Sequence, residues 1–169
     1  MDNAEQPDAR TLLAQRILER ADNGLRAADR VSSESPPEDR RAANTLRVLA
    51  HAASASANLA LDRADAAKTA ALRAVEIAEP LNSRDTFRAS LVALIHAQAY
   101  SGDYADALAS AERLAKGAGE TAPDACAIII DLATVRASAL DATLRPDDAR
   151  ALARDVIVPA ARLALESAL

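Results

Sequence analysis

Tryptophan is absent from the 169 residues, and Phe87, Tyr100 and Tyr104 are the only aromatic side chains. Stacking platforms for bases or sugars are therefore almost excluded. A single cysteine, Cys126, rules out an intrachain disulfide and any multi-cysteine zinc site. It lies in the run Ala125 to Ile130, where a small buried thiol is expected. No window approaches the roughly 18 apolar residues of a membrane span. Met1 to Arg10 carry three acids and no apolar stretch, so no signal peptide is read and a cytoplasmic location is the default. A periplasmic location is the alternative if a leader or anchor precedes this sequence. Excess positive charge is also missing. Twenty basic against twenty-five acidic residues leave a net charge of −5, which gives no electrostatic footprint for nucleic acid.

Alanine fills much of the space these absences leave, with 45 residues, while glycine and proline together supply only eleven. This balance favours helix over sheet. The length suits one domain, against a soft prior of about 150 residues. Arginine outnumbers lysine 18 to 2, a composition typical of GC-rich bacterial genomes.

Breakers and caps divide the chain into about seven to eight helices. The first is read from Asp8 to Ala21, closed by a turn at Asp22-Asn23-Gly24, with a short helix to Val31. Residues 1–34 would thus form a degenerate N-terminal hairpin acting as a cap. Ser35-Pro36-Pro37-Glu38 reads as a capping-box start for a helix reaching Leu59. Further starts fall at Asp62, Asn82 or Ser83, Asp103, Thr121 and Pro146, with breaks at Pro80, Gly102, and Gly117 with Gly119. Pro159 should kink the last helix. No strand is expected, since Val156-Ile157-Val158 is too short and isolated to pair.

The starts recur. Asp65-Ala66, Asp106-Ala107 and Asp148-Ala149 follow one another at almost equal intervals, each with another alanine one helical turn later: Ala70, Ala111 and Ala153. An acid suits the positive end of the helix dipole, and small side chains let a neighbouring helix approach. Gly102-Asp103-Tyr104-Ala105-Asp106-Ala107-Leu108 resembles the turn and second-helix start of a tetratricopeptide repeat, with Ala107 at the small position and Pro80 as the trailing proline of the preceding unit. The interval from Asp65 to Asp106 is longer than the period usual in that family. The resemblance, over residues 35–169, implies an all-α fold: antiparallel helical hairpins stacked as a short α-solenoid. It further implies a non-catalytic scaffold or adaptor that binds a protein or peptide. A helical pattern that persists to Leu169 keeps open the alternative of a sensor or regulatory domain within a larger bacterial signalling protein.

Arg40, Asn44, Arg47, His51, Ser54 and Asn58 are spaced 4, 3, 4, 3, 4 and share one arc of a helix. A solvated face is one reading, a ligand-facing stripe the other. Arg84, Arg88 and His96 on a later helix, then Asp124, Asp131, Thr134, Ser138 and Asp141 on another, would extend such a stripe from basic to acidic. The candidate peptide-binding residues are therefore Arg47, His51, Asn58, Arg88, His96 and Asp131. Replacing Arg47 and Arg88 with alanine should then weaken a partner without unfolding the chain. No nucleotide loop, nucleophile elbow or HExxH spacing occurs, so no enzyme activity, cofactor or metal is expected. An alanine-rich face would also serve a homodimer.

Overall fold

A computed structural model describes residues 8–118, 122–143 and 145–168, without the side chains of Ala118 and Asp141. The expected break at Gly119 and start at Thr121 lie outside the described residues, as does the Asp141 side chain. Within them every regular element is helical: α1 Ala9–Ala28, α2 Pro37–Ala60, α3 Ala64–Ala78, α4 Arg84–Ser101, α5 Tyr104–Ala118, α6 Ala122–Ala142, α7 Pro146–Leu152 and α8 Val158–Ser167. None of these helices is long and apolar enough to cross a membrane.

Asp8 caps α1, its carboxylate accepting the Thr11 N–H at 2.7 Å. Helix α1 then runs straight through Asn23-Gly24, so the described part of residues 1–34 holds one long helix in place of the expected hairpin. Gly24 has no positive φ and faces α2, where a Cβ would make ordinary van der Waals contact with Leu46 Cδ1 at 3.5 Å and the Ala50 Cβ at 3.7 Å. Ala14, Ala21 and Ala28, each one heptad from the next, are buried along the same helix. The start of α2 also differs from expectation. Pro36 occupies the cap position and no side chain closes it. The Ser35 hydroxyl instead accepts the Ser32 N–H at 3.1 Å.

The turns between α2 and α3 and between α4 and α5 are the same object. After α2, Asp62 adopts a left-handed conformation (φ 58°), the Asp62 N–H bonds to the Leu59 carbonyl, and the Arg63 N–H reaches the Asn58 carbonyl at 2.8 Å. After α4, Gly102 has φ 85°, its N–H bonds to the Ala99 carbonyl, and the Asp103 N–H reaches the Gln98 carbonyl at 2.8 Å. Both are Schellman closures, which satisfy the last carbonyls of a helix. Asn58 and Gln98 hold the same place in the two turns. After α6 the Arg145 N–H reaches the Leu140 carbonyl at 2.9 Å, which puts Leu140 in that place for a third time.

Side-chain bonds fix the helix directions. Arg41, near the start of α2, donates to the Leu81 carbonyl just past α3, so α2 and α3 run antiparallel. The Tyr100 hydroxyl at the end of α4 donates to Asp62 at the end of α2. Lys68 and Asp103 join the starts of α3 and α5, and Arg113 and Glu79 join their ends, each at 2.5 Å. Helices two apart therefore run parallel. From α1 to α7 each helix packs on the next in sequence, α8 packs on α6, and α4 also packs on both α2 and α6.

Burial sets a different register for α3 and α5 from the one the Asp-Ala pairs give. Ala67, Ala71 and Ala74 of α3 are fully buried, as are Ala107, Ala111 and Leu114 of α5. Matching the two turns through Asn58 and Gln98 pairs these three positions one to one. Aligning the Asp-Ala pairs would instead set Ala66 against Ala107, one position out, because Ala66 faces solvent and Ala67 faces the core. The main cluster gathers Leu91, Ile95, Leu114, Cys126 and Ile129 around these alanines. Burial pushes the Cys126 thiol up, which keeps it protonated and inert.

Near the C-terminus, Ala153–Ile157 widens into a π segment between α7 and α8, and the Val158 N–H bonds to the Ala153 carbonyl. Pro159 follows immediately. An ordinary helix would press the proline ring against the carbonyl one turn earlier, and the wider turn removes that clash. Val156-Ile157-Val158 is thereby helical.

Candidate functional site

The polar stripe of α2 divides on the structure. Arg40 is exposed and Arg47 half-buried, whereas Ser54 and Asn58 are buried. The Asn58 amide donates to the Ser54 carbonyl at 2.9 Å, a satisfied bond inside one helix. Arg47 is a brace. Its guanidinium donates to the Ala28 carbonyl at 2.9 Å, to the Asp29 carboxylate at 3.1 Å and to Asn44 at 2.8 Å. It thus closes the C-terminal end of α1, where a cation is favoured by the helix dipole. His51 is half-buried. Burial and the nearby Arg73 hold its pKa below the ordinary value, against the pull of Asp29.

Arg88 is half-buried and lies 3.6 Å from Asp85 of its own helix. His96 is half-buried, and burial alone holds its pKa below the ordinary histidine value. Asp131 is exposed on α6.

The matched turns set which positions of α2, α4 and α6 correspond. With Asn58 set against Gln98, Arg88 falls opposite Val48 and His51 opposite Leu91, both of which are core residues. Gln98 is itself buried, and its side-chain oxygen accepts the Ser110 hydroxyl at 2.9 Å. Arg88, His51 and Asn58 thus occupy interior-equivalent positions. His96 and Asp131 do not. His96 corresponds to Ser56 and Ser138, and Asp131 to Ala89 and Leu49, none of them buried. Ala53, Ala93 and Val135 correspond in the same way. Leu49 is 48% exposed and Val135 69%, while their counterparts on the middle helix are more covered. Three successively packed helices thus share one set of matched positions, Leu49, Ala53 and Ser56 on α2, Ala89 and His96 on α4, and Asp131, Val135 and Ser138 on α6, a stripe interrupted on α4 by the buried Ala93.

Amphipathic periodicity within a single helix misses this stripe, because each of the three helices mixes apolar and polar residues on it. Leu49 and Val135 emerge only from aligning the sequence on the turns, where Asn58 and Gln98 are the common landmark.

A concavity lies at the turn between α3 and α4. A 3₁₀ turn over Glu79–Leu81 leads into Asn82, which has φ 48°, and Ser83 then stands at the cap of α4 without a side-chain capping bond. A cleft of about 390 Å³ opens there, lined by Glu79, Asn82, Ser83, Arg84, Phe87 and Arg113. The guanidinium of Arg113 lies 5.9 Å from the Phe87 ring centre. Among the described residues, no group of three or more His, Cys, Asp or Glu is placed to hold a metal ion.

No family model matches the chain, and comparison with curated proteins and with solved structures returns no match.

Proposed function

We propose that the chain is a short stack of antiparallel helical hairpins of tetratricopeptide-like type, and that it binds an extended peptide or protein segment without catalysing a reaction. The recurrence of one Schellman turn, with buried alanines recurring in the same register in the following helix, carries this reading. A repeated turn and a repeated small-residue contact are what a stack of equivalent units requires. The stripe across α2, α4 and α6 is then the binding face. Leu49 and Val135 offer apolar contact, and His96 and Asp131 offer hydrogen bonds and charge.

Selection from a displayed random-peptide library tests the reading. Enriched peptides should lose at least about tenfold in affinity, about 1.4 kcal/mol, on Leu49→Glu or Val135→Glu. They should keep their affinity on Leu72→Glu, which alters an exposed side chain of α3. Failure of the library to enrich any peptide, or equal losses in all three variants, would contradict the proposal.

A further inference from the structure

The beginning of α2 and the segment that follows α3 enclose a separate cleft of about 390 Å³, which shares only Asn82 with the one beside Phe87. On α2 its wall is Pro37, Arg40, Arg41 and Asn44, which fall within about 100° of the helix circumference. Glu38 and Asp39 lie on other arcs, and no carboxylate is among the described residues that line the cleft. Its wall therefore carries two positive charges. The Arg40 guanidinium has no partner among the described residues. Arg41 gives one N–H to the Leu81 carbonyl at 3.0 Å, which anchors it at the cleft and leaves its other N–H groups to a second acceptor. Asn44 gives its carboxamide oxygen to Arg47 at 2.8 Å, so the amide NH2 is the group it can offer the cleft. Pro80 and Leu81, with Pro37 on the α2 side, add a small apolar wall without an aromatic ring. Two guanidinium groups and an amide NH2 match an acceptor with two negative charges and more than two oxygens, which a phosphate ester presents and a carboxylate does not.

We propose that this cleft binds a small phosphate monoester in its dianionic form, the phosphate held by Arg40, Arg41 and Asn44 and a short aliphatic body against Pro80 and Leu81. The site is independent of the peptide-binding stripe and stands or falls separately from it.

Isopropyl phosphate is the direct probe, read by amide chemical-shift changes in the full chain at about pH 7.5, where an ester with a second pKa of about 6 is mostly dianionic. Saturable shifts at residues 38–44 and 81–83 are expected at millimolar ester. Isopropyl sulfate, of the same shape with a single charge, should bind at least about tenfold more weakly. Arg40→Gln and Arg41→Gln should each weaken the phosphate ester about tenfold. Arg63→Gln removes the same charge beyond the opposite end of α2, outside the screening length, and should leave affinity within about twofold. Circular dichroism reports whether each variant is folded, and the comparison of the two esters needs no variant. Absence of saturable shifts at these residues, equal affinity for the sulfate ester, unchanged affinity in folded Arg40→Gln or folded Arg41→Gln, or an equal loss in Arg63→Gln would overturn the site. Inorganic phosphate binding as tightly as the ester would also overturn it, since a bare anion cannot use Pro80 and Leu81.

Discussion

Ala71 and Ala111 are completely enclosed, and the helices around them come close because nothing larger than a methyl group stands between. Leucine at either position should cost about 1–3 kcal/mol, since a packed interior cannot absorb three extra carbons. Urea unfolding measures this, with Leu72→Ala on the exposed side of α3 as a near-neutral control. Arg47→Ala removes a fork that holds the end of α1. Partial exposure limits the loss to about 1 kcal/mol, and hydrogen exchange should show it as earlier opening of α1. The double arginine variant suggested by the sequence is therefore not a clean probe of binding, because one of its two residues holds the fold. His51 and His96 add a pH term. Each has its folded pKa lowered below 6.5, so the unfolded chain binds more protons in that window. Stability contributed by neutral histidine is complete above about pH 6.5 and is lost as pH falls towards the folded values. His96→Gln should flatten that part of a stability-against-pH curve. An unchanged slope in both single histidine variants would refute the assignment.

At the level of elements, the helices and most of their boundaries are legible from caps and breakers, because a proline or a positive-φ glycine acts locally. Gly102 fits that rule. Gly102→Ala should lose about 1 kcal/mol, as the turn demands φ near 85°. A loss below a few tenths in thermal unfolding would mean that the turn does not constrain the pair. Gly24 breaks the same rule: it lies inside α1 without a positive φ and faces Leu46 and Ala50 of α2, a placement no local pattern reports. The recurring Asp-Ala pairs are visible in the sequence, but they set α3 and α5 one position out of the register that burial gives. Asp-Ala pairs mark the start of a helix, whereas burial marks the face, and the two differ by one position in α3. The stripe on α2 misleads for a related reason: asparagine and serine look solvated in sequence, yet the buried Asn58 amide is satisfied by the Ser54 carbonyl of its own helix.

For the whole molecule, the decisive property is the order in which α2, α4 and α6 lie. With α4 between the other two, the matched positions of α2, α4 and α6 lie side by side, interrupted by the buried Ala93. Around a closed bundle those positions would diverge. Neighbouring helix axes lie about 8–10 Å apart, so a row of three separates the outer two by about 16–20 Å. The direct test is the distance between spin labels at Leu49→Cys and Asp131→Cys in a Cys126→Ala background, measured by pulsed electron resonance. A narrow distribution consistent with a backbone separation of about 16–20 Å is expected. A separation of one interhelical spacing, or a broad distribution, would contradict the row of helices and with it the proposed binding face.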